Sequence, residues 1–173
     1  TVITSATTVC VGSNAVVVAA PGSSSTYTYT WTVPSGAPSI PSNVAGFGTN
    51  IPGTYSVVIT DTTTMCSSTP SSVTVQFNAL PVVTVAATTE CIGTLSTVTA
   101  TPASPRTYTY TWTVPSGATP PGNVASFTTG VTGVYSVTIT DSVTGCVSTA
   151  VTTTVQFNPN PTVTVNSPTA CFV

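Results

Sequence analysis

TYTYTWTVPSGA occupies residues 26–37 and again residues 107–118, letter for letter. In the first copy Tyr27, Tyr29, Trp31 and Val33 alternate with Thr28, Thr30 and Thr32. A period of two puts successive side chains on opposite faces of a strand, so the aromatic residues share one face and the threonines the other. Rings of this size plug the space between two sheets, which makes Trp31 and Trp112 core residues and leaves the Thr face to solvent. The rival reading of Tyr-x-Tyr-x-Trp, a stacking platform for sugars, suits a loop better than the middle of a strand.

The copying continues outside this string. Cys10, Cys91 and Cys171 recur about eighty residues apart, as do Cys66 and Cys146, and TVQFN stands at 74–78 and 154–158. Periods of 20–50 residues mark solenoids and propellers, whose units cannot fold alone. A unit of about eighty can bury a core of its own. The expected domains are residues 1–80 and 81–160, with 161–173 as the first strand of a third repeat or a donor-strand tail.

Walking outward through the first repeat gives VITSATT (2–8), AVVVAA (15–20), the TYTYTWTV strand (26–33), NVAGFGT (43–49), TYSVVITD (54–61) and SSVTVQFN (71–78). The second repeat keeps this order. About a quarter of the residues are Thr and Val is abundant; both are β-branched and favour strands. Fifteen Pro and twelve Gly punctuate the runs, none of which has a helical period. Six or seven short strands, regular turns and a mid-chain Trp predict an all-β chain of tandem immunoglobulin-like sandwiches, two complete plus the first strand of a third. Tyr55 and Tyr135 follow a Gly near the start of the penultimate strand, where a buried Tyr hydroxyl bonds backbone in a tyrosine corner.

The composition leaves little chemistry. There is no His and no Lys; Arg106 is the one cation, and Asp61, Glu90 and Asp141 are the acids. Acid–base or nucleophilic catalysis gathers several titratable groups in one pocket, so no enzyme, catalytic residue, cofactor or metal site is expected. One Arg is no basic patch, which argues against nucleic acid as a partner. No run approaches eighteen apolar residues, so no membrane insertion is expected. A formal charge of −2 protects poorly against association. A surface coated with sugar or packed in a polymer needs no such protection, which favours an extracellular assembled state. The chain starts at Thr1 without a Met or a visible signal peptide, read as a processed protein or a piece of a longer one.

Each repeat holds one Cys after its first strand and one after its Tyr-x-Val-x-Ile-Thr-Asp strand. The expected disulfides are Cys10–Cys66 and Cys91–Cys146, each worth about 4 kcal/mol by the chain-entropy argument. Zinc would need four ligands close together, and neither His nor a CxxC pair exists. Paired cysteines imply an oxidising, secreted or cell-surface setting. Cys171 is left unpaired or bonds between units: its partner lies in a further repeat, or the terminal strand inserts into a neighbouring subunit.

Taken together, Cys-x-Gly before a Val/Ala strand, Tyr-Thr-Trp-x-Val-Pro-x-Gly-Ala, and Gly-x-Tyr-Ser-Val-x-Ile-Thr-Asp before a Cys resemble the PKD-like and Ig-like repeats of very large secreted proteins. Such repeats are common on the surface of Bacteroidota-type bacteria. The resemblance covers both repeats and the start of a third, and implies extracellular stalks, adhesins and filaments. Asp61-Thr62-Thr63 and Asp141-Ser142-Val143 are similar to the O-glycosylation sequon of the same bacteria, making Thr62 and Ser142 candidate sites. The alternative is a plain turn, which Asp and Ser/Thr favour through local bonds. No Asn-x-Ser/Thr sequon is present.

The leading functional expectation is a structural repeat of an extracellular fibre, stalk or adhesin whose partner is itself, through neighbouring repeats or subunits. The alternative is a carbohydrate-binding or adhesive module that recognises surface glycans. A distant third, ice binding, would use flat ranks of Thr.

Overall fold

The computed structural model describes residues 2–23, 26–37 and 43–166, and among these there are sixteen strands and no helix. The first repeat contributes β1 (Val2–Ala6), β2 (Val9–Cys10), β3 (Ala15–Pro21), β4 (Tyr27–Thr32), β5 (Gly46–Thr49), β6 (Gly53–Asp61), β7 (Ser71–Val75) and β8 (Phe77–Asn78). The second follows the same order with β9 (Val83–Ala87), β10 (Glu90–Cys91), β11 (Ser96–Pro102), β12 (Tyr108–Thr113), β13 (Ser126–Thr129), β14 (Gly133–Asp141), β15 (Val151–Val155) and β16 (Phe157–Asn158). Residues 161–166, assigned from sequence to a first strand of a third repeat, form no strand; residues 167–173 lie outside the described part.

In the first repeat one sheet has the order β1-β3-β5 and the other β4-β6-β7, with all pairs antiparallel. VITSATT is not continued as one strand. After β1 the chain leaves its partner β3, and β2 pairs in parallel with β8, Val9 opposite Phe77 and Cys10 opposite Asn78. The second repeat has the matching sheets β9-β11-β13 and β12-β14-β15, with β10 parallel to β16.

The two sheets of each repeat face each other across an apolar layer, built by alternation. On β4 the Tyr27, Tyr29 and Trp31 side chains are partly buried while Thr28, Thr30 and Thr32 are exposed. On β6 Tyr55, Val57 and Ile59 are buried. Across from them stand Ala15, Val17 and Ala19 of β3, all buried. In the second repeat one continuous cluster joins Val83, Val98, Ala100, Trp112, Tyr135, Val137, Ile139 and Val155. At about 25 cal/mol per Å² of apolar surface removed from water, such a layer is the main stabilising term of a small sandwich.

Gly53 and Gly133 open β6 and β14 with φ of 140° and 148°. A Cβ on either would come within 2.7 Å of Pro34 or Pro115 respectively. The Gly of Gly-x-Tyr is therefore required twice over, by backbone conformation and by the ring packed against it.

By its contacts the chain divides into two compact units, Thr1–Pro81 with Asp141–Val147, and Val82–Thr140 with Ser148–Val173. The tip of the β14–β15 hairpin thus belongs to the first unit although its sequence belongs to the second repeat.

Candidate functional site

The aromatic residues singled out from the sequence each join a Phe in a stack within the core layer of their repeat, with Trp31, Phe47 and Phe127 partly buried. Trp31 meets Phe47 edge-on at 5.0 Å, and Phe47 lies 5.7 Å from Tyr55. Trp112, Phe127 and Tyr135 repeat this at 4.9 and 5.8 Å. The indole N–H of Trp31 donates to the Val44 carbonyl at 2.8 Å, and that of Trp112 to the Val124 carbonyl at 2.9 Å. Tyr55 and Tyr135 are fully buried. Their hydroxyls donate to the carbonyls of Ile51 and Val131, four residues upstream, and bond Thr49 and Thr129. Sequence reasoning left Phe47 and Phe127 without a role; each lies between a Trp and a Tyr and so is withdrawn from any exposed platform. Their alternation with small residues in NVAGFGT and NVASFTT was the available signal.

Asn43 and Asn123 were also missed. Their side-chain carbonyls accept from the backbone N–H of Tyr29 and Tyr110 at 3.0 and 2.7 Å. Each asparagine thus satisfies a donor on the outer side of β4 or β12. No buried side-chain nitrogen or oxygen among the described residues lacks a hydrogen-bond partner. No cluster of three or more His, Cys, Asp or Glu capable of holding a metal occurs among them either.

The cysteines depart from the expected pairing. Cys10 is bonded to Cys146, with a Cα–Cα distance of 5.7 Å, while Cys66 and Cys91 are free and exposed. Neither Cys10–Cys66 nor Cys91–Cys146 forms, and strand direction explains why. Gly53 at the start of β6 pairs with Val75, two residues before β8 meets β2 and Cys10. β6 then runs nine residues away, and the Asp61 N–H at its far end donates to the Cys66 carbonyl. At about 3.3 Å per residue the two cysteines of one repeat stand roughly 26 Å apart at opposite poles. A disulfide tolerates about 7 Å between Cα atoms. The same holds in the second repeat, where Cys91 pairs with Asn158 and Cys146 closes the distal turn of β14. Cys171 lies outside the described residues.

Two kinds of cysteine loop therefore exist, each built alike in both copies. At one pole Val11 and Ile92 donate their N–H to the carbonyls of Asn78 and Asn158, and Ser13 and Thr94 donate theirs back to Cys10 and Cys91. At the other pole Asp61 Oδ1 accepts from the N–H of Thr63 and Thr64, as Asp141 Oδ1 accepts from Val143 and Thr144. The Cys66 and Cys146 N–H groups then donate to Thr64 Oγ1 and Thr144 Oγ1. The candidate glycosylation residues Thr62 and Ser142 sit on this second loop and are exposed. The Thr62 hydroxyl donates to the Thr26 carbonyl at 3.0 Å.

No protein-family profile matches the chain, and no curated protein does. Solved structures do. The three N-terminal domains of the highly immunogenic outer capsid protein of bacteriophage RB49 match at a TM-score of 0.50 and 20% identity, over 91% of this chain and 59% of that one. The chain thus spans under two thirds of the length of that three-domain structure. An amphioxus IgVJ-C2 molecule matches at 0.38 and 14% identity, over 87% of this chain and all of that one. Murine CEACAM1b matches at 0.35 and 15%, over 92% of this chain and all of that one. The fold is immunoglobulin-like. Two such sandwiches in tandem, with a disulfide uniting residues of both repeats, are the frame for any function.

Proposed function

We propose that the chain is a structural repeat of an extracellular or cell-surface fibre, stalk or adhesin, and that it performs no catalysis. The Cys10–Cys146 bond carries this reading. It bridges a sequence separation of 136 residues, so a pull on the two ends passes through the disulfide and bypasses everything between. At about 3.4 Å per extended residue, roughly 450 Å of chain is held back from stretching. That arrangement suits a load-carrying element and has no evident use in a diffusing binding domain.

Other observations agree. The chain is nearly uncharged, which suits a surface buried by assembly. Disulfides persist in oxidising, extracellular settings. The phage neighbour is an outer capsid protein, a surface role compatible with this one. We read the repeats as PKD-like relatives from surface proteins of Bacteroidota-type bacteria, with Thr62 and Ser142 as sites of O-linked sugar.

Electron microscopy of the native material is the test: filaments or stalks are expected, and dispersed globular monomers would overturn the reading. Sugar-specific binding on a glycan array would transfer the chain to the adhesive alternative. Intact mass of native protein reads the sugar directly.

A further inference from the structure

The second repeat's hairpin loop, Asp141–Ser148, is buried at Asp141, Cys146 and Ser148, and Cys146 is bonded. The first repeat's copy of that loop has the same internal hydrogen bonds, yet Cys66 is free and exposed and Met65 is 74% exposed. The opposite pole shows the converse. Cys10 is partly buried and bonded, while its equivalent Cys91 is free, beside exposed Ile92 and Leu95. Next to Cys91 lies a groove of about 240 Å³ lined by Ile92, Gly93, Thr94, Gly130, Thr132 and Phe157. Among the described residues there is thus one bond between the two loop types and one unbonded copy of each loop.

We infer that Cys91 and the groove beside it receive the Asp61–Ser68 hairpin of a second copy of this chain, which joins head to tail through a Cys91–Cys66 disulfide. The occupant is named by the molecule itself, since the loop bonded through its buried Cys146 at the Cys10 pole has the same internal hydrogen bonds as the one exposed at Cys66. Met65 beside Cys66 offers flexible apolar surface to a groove walled by Ile92 and Phe157. Two thiols become one disulfide, losing two protons and two electrons. The acceptor is a small-molecule disulfide such as oxidised glutathione, which leaves as two thiols after exchange through a mixed disulfide. The inference deepens the fibre reading by naming its bond and partner.

The experiment uses the full chain in a Cys171→Ser background, with Cys10–Cys146 formed. One variant carries Cys66→Ser and keeps Cys91; the other carries Cys91→Ser, keeps Cys66 and is labelled with nitrogen-15. Each is incubated in a glutathione redox buffer, alone and mixed, and read by non-reducing intact mass. The mixed heterodimer is expected to exceed either homodimer at least tenfold, and the parent with both thiols to form a ladder of multimers. A statistical mixture of homo- and heterodimers, or no dimer, overturns the inference. Ile92→Asp in the Cys91-bearing variant leaves both thiols intact and is expected to slow heterodimer formation about tenfold, equivalent to about 1.4 kcal/mol. An unchanged rate overturns the docking. Cys66, Cys91 and Ile92 are exposed, and an unchanged melting temperature of each variant certifies its fold. Heterodimers without native filaments would sink the fibre reading and keep the bond; native filaments without heterodimers would do the opposite.

Discussion

The Asp61–Ser68 and Asp141–Ser148 hairpins share four of eight residues and the same internal hydrogen bonds, and they lead opposite lives. One stands in solvent with a free thiol. The other has a fully buried cysteine bonded to Cys10 and is counted with the first compact unit. Burial is therefore not written into the hairpin itself: the same Asp-capped turn serves as an exposed tip or as a fastener, according to whether it meets its partner loop.

The largest effect that separates the hairpins comes from the cysteines. Cys146→Ser opens a crosslink spanning 136 residues and is expected to cost about 5 kcal/mol by the chain-entropy argument. Cys66→Ser, at the equivalent position, should shift stability by no more than about 0.5 kcal/mol. Denaturant melts of the two variants read the contrast directly; equal losses would mean that the two loops do the same structural job. Force spectroscopy adds a geometric readout, because reducing the parent should release roughly 450 Å of extra contour length.

Next in size are the tryptophans, where the copies differ in degree. Trp112 is buried, whereas Trp31 is only partly so. Trp112→Ala should cost about 4 kcal/mol, and Trp31→Ala visibly less, since less surface returns to water. Equal costs by chemical denaturation would show that the difference in burial carries no energetic weight.

Strand content and the aromatic face were legible because alternation is local: TYTYTWT declares its two faces without any other part of the chain. The tyrosine corner was legible for the same reason, since Tyr55 reaches a carbonyl only four residues away. Cysteine connectivity was not, because spacing does not reveal which pole of a sandwich a loop occupies. Pairing by proximity in sequence put Cys10 with Cys66, while the course of β6 sets them at opposite ends. The split of VITSATT into β1 and β2 was equally hidden, since it depends on β8, some seventy residues on. The NVAGFGT strand was read, but Phe47 and Phe127 were given no role, because their packing depends on a Trp and a Tyr contributed by other strands.

Tyr135→Phe removes a hydroxyl that bonds the Val131 carbonyl and Thr129. A loss of about 1–2 kcal/mol is expected, and Tyr55→Phe should match it because both corners have the same bonds. Unequal losses by thermal melting would reveal a difference between the two units that their local geometry does not contain.

The smallest effect bears most directly on the two hairpins. Met65 holds a φ of 58° where the second copy has Gly145 at 71°. The left-handed region disfavours a side chain by about 1–2 kcal/mol, and glycine gives part of that back through the greater freedom of its unfolded chain. Met65→Gly should therefore raise the stability of the isolated chain by about 0.5–1 kcal/mol. The same substitution should weaken the head-to-tail joint by removing the apolar group that faces the groove beside Cys91. A variant that melts higher yet forms heterodimers more slowly would show strain retained for assembly. One that melts higher and assembles equally fast would reduce Met65 to a passive difference between copies.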